Sequence, residues 1–378
     1  MKIFEKLFLK RLKRIVDQKL AIPDHQYGFR SYHSTIDQVH RVTQIIERAL
    51  EEKKFCAAVF LDVEKAFDRV WHEALLHKIS RILPGNYCEI LKSYLYNRSF
   101  KVQYNEAVSN QREIKAGVPQ GSTLGPLLYL LYSSDIPVNP LTELATFAVD
   151  TAILSVNDSY DQAVHNLQSA TDQICSWARA SKIKLNEEKT VRVDYSLRPC
   201  SYIPTAINDK FIPRSDSARY LGMHLDRRLN WKVHVKKKRD ELNLKLRNLY
   251  WLLGHRSSLS LANKRLVYIS VLKPVWTYGL QIWGTAKQSN RLVIQRVQNK
   301  TLRLITKEHW FVPNLVLHRD LQIPTVNEVT GLLAAKHEER LHNHPNVTAI
   351  QLLDTSEDIR RLKRRKPHDL VDQPTLRI

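Results

Sequence analysis

The chain has 378 residues, 43% hydrophobic and 8% aromatic, which suffices for a packed core and for more than one domain. Its 10 glycines exclude a collagen-like or low-complexity chain, and its formal net charge of +21 points to a polyanionic partner, nucleic acid being the commonest. Composition alone leaves open a basic protein kept soluble by its charge.

Residues 4–20 show helical apolar spacing, with lysine and arginine on the opposite face, and Ala21-Ile22-Pro23-Asp24 ends that helix. A second helix is predicted over 35–51 with Thr35 as its N-cap. Residues 55–61 are a continuous apolar run, the pattern of a strand buried on both faces. Asp62 ends that strand, and a helix is predicted to follow through Phe67 to Ile79. Residues 87–96 read as a helix, and 100–104 with 111–114 as a hairpin turning near Asn105. A glycine/proline loop over 116–122 leads into an apolar helix from Gly125 to Tyr132. The stretch 124–132 is the most apolar in the chain, too short to span a bilayer and interrupted by Pro126, so no membrane role is expected. Residues 144–148 and 151–156 are predicted strands. A helix over 159–180 presents Ala163, Leu167, Ala170 and Ile174 inward. Residues 183–185, 191–195 and 220–225 read as further strands. Helices rich in lysine and arginine then dominate, among them 233–253 and 261–280. Residues 360–378 are basic with prolines, and disorder is expected there. Cys56, Cys88, Cys175 and Cys200 form no CxxC pair and have no zinc-type spacing with histidine, so no structural zinc is expected and a reducing compartment fits.

Two acids stand out. Asp62 and Asp150 each follow a short apolar strand, a way to deliver carboxylates from separate strands to divalent metal ions for phosphoryl transfer. An acid after a strand also serves as a helix N-cap, and for Asp62 alone that reading stays open.

The order of the motifs around these acids carries a family resemblance. Gln26-Tyr27-Gly28-Phe29-Arg30 comes first, followed by Phe60-Leu61-Asp62-Val63-Glu64-Lys65-Ala66-Phe67-Asp68-Arg69-Val70-Trp71-His72. Ala116-Gly117-Val118-Pro119-Gln120-Gly121-Ser122, Phe147-Ala148-Val149-Asp150-Thr151-Ala152, Leu185-Asn186-Glu187-Glu188-Lys189-Thr190 and Tyr220-Leu221-Gly222 follow. Beyond them lie Lys273-Pro274-Val275-Trp276-Thr277-Tyr278-Gly279 and His309-Trp310-Phe311-Val312-Pro313-Asn314. This series resembles the reverse transcriptases of non-LTR retrotransposons, of the insect jockey-like kind, over nearly the whole chain.

The resemblance implies an α+β right-hand polymerase with truncated fingers, an antiparallel-sheet palm, a helical thumb and a helical C-terminal extension. Fingers and palm would occupy 1–228, the thumb 229–285, the extension 286–362 and a basic tail 363–378. It implies an RNA-directed DNA polymerase that uses an RNA template, a DNA primer and deoxynucleoside triphosphates, with two magnesium ions. Such an enzyme is intracellular, nuclear when copying onto its target and cytoplasmic when bound to element RNA.

By the same resemblance Asp62 and Asp150 are metal ligands, with a backbone contact from Val63. Phe67 lies beneath the sugar and selects deoxynucleotides, or else is a core aromatic. Gln120, Gly121 and Ser122 lie against template and nucleotide, or else form only the turn into the next helix. Lys189 protonates the departing pyrophosphate, or else is an exposed lysine. Arg30 helps hold phosphates. The lysines and arginines over 232–256 grip a duplex backbone. Trp231, Tyr250, Trp251 and Trp276 are expected to pack rather than to stack on bases.

Two departures from the family pattern are expected to matter. Val149 stands where the family has the first, metal-ligating acid of a pair, so polymerase activity is predicted to be impaired, and a non-catalytic nucleic-acid-binding relic is the alternative. The family's endonuclease and upstream fingers have no counterpart, which reads as an N-terminal truncation or a partial gene model.

Overall fold

The computed structural model describes residues 2–354 and 359–371. The chain divides into two compact units, one of residues 1–38 with 54–215 and one of residues 39–53 with 216–378.

The first unit is built on α1 (Lys2–Gln18), the start of α2 (Thr35–Glu51), β1 (Phe55–Leu61), α3 (His72–Ile82) and α4 (Gly85–Leu95). Four two-residue strands follow: β2 (Ser99–Phe100), β3 (Gln103–Tyr104), β4 (Ala107–Val108) and β5 (Arg112–Glu113). They pair β2 with β5 and β3 with β4, an exposed broken hairpin whose turn is Asn105-Glu106. Then come α5 (Gly125–Tyr132), β6 (Glu143–Phe147), β7 (Asp150–Asn157), α6 (Tyr160–Ala180), β8 (Val191–Tyr195), β9 (Ala206–Ile207) and β10 (Lys210–Phe211).

The sheet order is β6-β7-β1-β8, antiparallel throughout, so β1 is an inner strand. All seven of its residues are buried, as a strand covered on both faces requires. Helix α6 packs on β1 and β7 and buries Ala163, Leu167, Ala170 and Ile174, the four positions its spacing predicts. Helix α5 buries seven of its eight residues and packs beside α3, while α1 buries Phe8, Leu12 and Val16.

Four local expectations need correction. Helix α3 begins at His72, ten residues after Asp62, because the intervening segment is committed elsewhere. Lys65 sits at φ +49°, and the carbonyls of Phe67 and Val70 accept from Val118 N–H and Gly117 N–H, both at 2.8 Å. At α2 the capping side chain is Ser34, not Thr35: Ser34 Oγ accepts from Asp37 N–H at 3.1 Å and Asp37 Oδ2 accepts from Ser34 N–H at 3.0 Å. Residues 183–185 form no strand beyond a single bridge from Leu185 to Val63. Residues 220–225 are not one strand but the centre of a hairpin in the second unit.

A charged network is buried under β8. Arg192, fully buried, donates to Asp194 Oδ1 at 2.7 Å, to the Tyr160 hydroxyl at 2.8 Å and to the Ile203 carbonyl. Asp194 Oδ2 accepts from Tyr160 at 2.9 Å and pairs with Arg214 at 2.9 Å. Burial first, and then Asp194, pushes the Tyr160 phenol well above its ordinary range. The network ties residues 203–214 to the sheet edge.

The second unit opens with β11 (Ser217–Tyr220) and β12 (Met223–Asp226), joined by Leu221-Gly222 at φ +45° and +79°, a two-residue turn of the kind that fits strand twist. The rest is helical: α7 (Lys232–Asn248), α8 (Tyr250–Leu253), α9 (Leu261–Val267), a π-helical turn (Tyr268–Leu272), α10 (Lys273–Thr277), α11 (Leu280–Trp283), α12 (Gln288–Thr306), α13 (Asn314–Asp320), α14 (Val326–His342) and α15 (Val347–Ile350). Helix α12 packs against α7, α13 and α14.

Trp231 and Trp276 are buried, as expected for packing residues. Tyr250 and Trp251 are not: they are 55% and 73% exposed. Of the stretch expected to be disordered, residues 367–370 form a 3-10 turn with Leu370 buried, and residues 372–378 lie outside the described residues.

Removing Asp194 strands the buried Arg192 charge. Asp194→Ala is expected to cost about 3–5 kcal/mol in urea unfolding, and joint replacement of Arg192 and Asp194 by Leu and Met much less.

Candidate active site

The end of the first unit's sheet gathers the acids. The β1–β7 register pairs Leu61 with Thr151, so continuing it by one residue sets Asp62 across from Asp150. Asp150 is the first residue of β7 and pairs with Phe147, the last of β6. Ala148 and Val149 are therefore a two-residue hairpin turn.

Segment 184–186 runs antiparallel along 62–64. Asn186 N–H donates to the Asp62 carbonyl at 2.8 Å and Glu64 N–H to the Lys184 carbonyl at 2.9 Å. Those bonds flank the Val63–Leu185 pair, which turns Val63's own amide and carbonyl toward the β7 edge. Thr190 Oγ1 accepts from Asp62 N–H at 3.4 Å. The same 186–190 turn brings Lys189 Nζ to 4.0 Å from Asp62 Oδ2, with both side chains well exposed. Asp62 caps no helix, since the next one starts at His72.

The hairpin turn is held from outside the sheet. Ala148 has φ +56°, a conformation costly for a residue with a Cβ. Gln26 offsets it: its Oε1 accepts from Ala148 N–H at 2.7 Å and from Gly28 N–H at 2.8 Å, and its Nε2 donates to the Ala148 carbonyl at 3.4 Å. Tyr27 N–H and Gln38 Nε2 both donate to the Thr146 carbonyl, and Thr146 N–H donates to the His25 carbonyl. Gly28 passes so close that a Cβ there would lie 2.1 Å from Ala148 N. Sequence reasoning singled out this motif as the first of the family series but missed the brace. Its local signal is a glycine two residues after a glutamine.

Around the acids, Phe67 is half-buried, its ring 5.0 Å from Tyr129 and edge-on to Phe29 at 6.1 Å. Burial, with Tyr132 and then Asp150 adding to it, pushes the Tyr129 phenol well above its ordinary range. Lys184 pairs with Glu64 at 2.8 Å and holds that carboxyl below the usual range.

Gln120 Nε2 donates to Asp68 Oδ1 at 2.8 Å. Ser122 Oγ accepts from Gly125 N–H at 2.8 Å, closing the first turn of α5. Gly121 has φ +80° with nothing within 4 Å of a would-be Cβ, so the turn requires glycine there and packing does not. Arg30 Nη1 donates to the carbonyls of Pro23 and Gln26 and so braces the motif that holds the turn. The structure thus brings together Asp62, Val63, Asp150 and Lys189. It seats Phe67 in an aromatic row, and it engages Gln120, Ser122 and Arg30 with their own neighbourhoods.

The donor set can be tested against a pair of divalent ions. Hard cations take about six oxygens each, most usefully from carboxylates. Among the described residues no group of three or more Asp, Glu, His or Cys could hold an ion. The Val149 side chain supplies no oxygen and packs partly against the hydrophobic cluster. The Lys189 ammonium stands 4.0 Å from Asp62 Oδ2. These residues do not fit a two-ion site.

Comparisons with known proteins follow the same lines. The model of the family "Reverse transcriptase (RNA-dependent DNA polymerase)" matches residues 1–225. The "Probable RNA-directed DNA polymerase from transposon X-element" of Drosophila melanogaster is 42% identical over 99% of this chain. The Drosophila melanogaster proteins from transposon BS and from mobile element jockey are each 38% identical, over 99% and 98% of the chain. In each case the chain spans 42% of the length of the relative it matches. Solved telomerase structures from Candida tropicalis (TM-score 0.47, 13% identity, 94% of this chain and 60% of that one) and Candida albicans (TM-score 0.42, 14% identity, 96% and 56%) are also similar, too distantly to transfer any residue's role.

Two glycines near the site should respond differently in urea unfolding. Gly28→Ala forces one of two backbones to move and is expected to cost about 3 kcal/mol or more. Gly121→Ala, with open space but a left-handed φ, should cost only about 1–2 kcal/mol.

Proposed function

The chain belongs to the reverse transcriptase (RNA-dependent DNA polymerase) family, and we propose that it is the RNA-directed DNA polymerase region of a jockey-like non-LTR retrotransposon whose nucleotidyl transfer is impaired by Val149. The observation that carries this reading is the braced turn. Gln26 holds the Ala148-Val149 turn at the sheet end beside Asp62 and Asp150, which supports reading Val149 as standing where a third donor is wanted. The fold is α+β, the family's polymerases generally use divalent metal ions, and an RNA template is the implied partner.

The remaining roles rest on the same geometry. Asp62 and Asp150 are the acids that magnesium would need, with the Val63 carbonyl turned toward them. Lys189, exposed and near Asp62, is placed to give a proton to departing pyrophosphate. Phe67, on its row with Tyr129 and Phe29, forms an aromatic floor suited to a deoxyribose lacking a 2′-hydroxyl. Gln120, Gly121 and Ser122 lie on an exposed loop along which template and incoming nucleotide would run, and Arg30 acts on them only by bracing the turn. A DNA primer and deoxynucleoside triphosphates complete the substrates, and the work is intracellular, nuclear at the step of target copying. Among the described residues no helix is long and apolar enough to cross a membrane.

A second reading is a nucleic-acid-binding relic that no longer copies. It is favoured by the absence, among the described residues, of any three-donor group. Primer extension on an RNA template separates the two. Val149→Asp is expected to exceed the chain carrying Val149 by on the order of a hundredfold or more. Equal, robust synthesis by both would overturn the impairment. Tight primer–template binding with no synthesis by either favours the relic.

A further inference from the structure

The segment joining α12 to α13 has a composition and geometry that the polymerase reading does not use. Helix α12 carries no aspartate or glutamate in its nineteen residues. Arg296, Lys300 and Arg303, with Lys307 at the helix end, recur at spacings of four, three and four, which places them along one face. Arg296, Lys300 and Lys307 are exposed, and among the described residues none of the four forms an ion pair.

At the end of that basic row the chain turns at Lys307, φ +62°, and presents His309, Trp310 and Phe311. Trp310 is 87% exposed and Phe311 66%. The rings are ordered relative to one another: His309 stacks on Phe311 with centroids 5.4 Å apart and planes within 6°, and Trp310 stands edge-on to Phe311 at 6.1 Å. Arg303 sets the loop by donating to the carbonyls of His309 and Val312 and to Asn314 Oδ1. Its guanidinium is spent on neutral acceptors, so its charge stays uncompensated. Glu308 is the acid adjoining the tip, and Asp320 further on is paired with Arg319.

Large exposed aromatics are costly in water unless they meet a partner. A tip of three rings at the end of an acid-free cationic stripe matches one chemistry best. The stripe attracts phosphates, and the ring faces accept unpaired bases regardless of sequence. A base-paired duplex hides its base faces and would gain only from the stripe.

We propose that His309, Trp310 and Phe311 form a stacking platform for a single-stranded stretch of nucleic acid, whose backbone runs along Arg296, Lys300, Arg303 and Lys307. This rests on the nucleic-acid reading above and adds a site outside the residues that the family model matches.

The test uses the full chain, a fluorescein-labelled single-stranded oligothymidine of about 20 nucleotides and a blunt DNA duplex of the same length, with affinities read by fluorescence anisotropy. Trp310→Ala should weaken single-strand binding by about tenfold, and Trp310→Phe, which keeps a ring, should restore most of it. Duplex binding should stay within about twofold for both. Lys300→Gln should instead weaken both ligands and flatten the salt dependence.

Unchanged single-strand affinity in Trp310→Ala would overturn the platform, and so would equal losses on single strand and duplex. A drop in sedimentation mass for Trp310→Ala without loss of oligonucleotide affinity would make the tip a contact between copies, again overturning it. If the unaltered chain binds neither oligonucleotide, the failure lies with the nucleic-acid reading as a whole.

Discussion

One glutamine side chain sets the geometry on which the site depends. The β6–β7 turn has only two residues, and its first, Ala148, is held at a positive φ that a Cβ disfavours. Gln26 engages both the N–H and the carbonyl of Ala148, and Gly28 leaves the space for that approach. Without this brace a two-residue turn carrying Ala-Val would be free to relax toward a less strained conformation. With it, the start of β7 is fixed, Asp150 falls opposite the end of β1, and the position of Val149 is determined.

The second constraint is the fully buried β1. A strand covered on both faces and paired on both edges has no freedom of register, because a one-residue slip would reverse the face of every side chain. That rigidity extends past Leu61. The 184–190 segment pairs along Asp62 to Glu64 and carries Lys189 with it, so four motifs far apart in sequence converge on one sheet end. The sheet end is therefore fixed in its backbone. On the proposed reading, two carboxylates converge there where a third would be wanted.

Much of this was legible in the residues. The unbroken apolar run 55–61 marks an inner strand, and the spacing of Ala163, Leu167, Ala170 and Ile174 marks the helix that covers it. The motif order identifies the family before any geometry is known. Four things were not legible, each for a physical reason. The helix after Asp62 starts late because the carbonyls of Phe67 and Val70 go to Gly117 and Val118, a pairing some fifty residues away that no local pattern encodes. The strand over 220–225 hides a turn, although the glycine at 222 was the available signal. The role of Gln26 could not be read, because its partner lies 122 residues on. The exposure of Trp310, Phe311, Tyr250 and Trp251 was also invisible, since aromatic residues in apolar-patterned helices and loops look alike whether packed or presented.

The central claim is that the sheet end holds a built but vacant donor position at Val149. The most direct measurement is calorimetric titration of magnesium into the chain, into Val149→Asp, and into Val149→Asp carrying Asp62→Asn. The expected result is weak or undetectable binding by the chain with Val149, binding at least about tenfold tighter in Val149→Asp, and loss of that gain with Asp62→Asn. Equal affinity with and without the added carboxylate would contradict the claim.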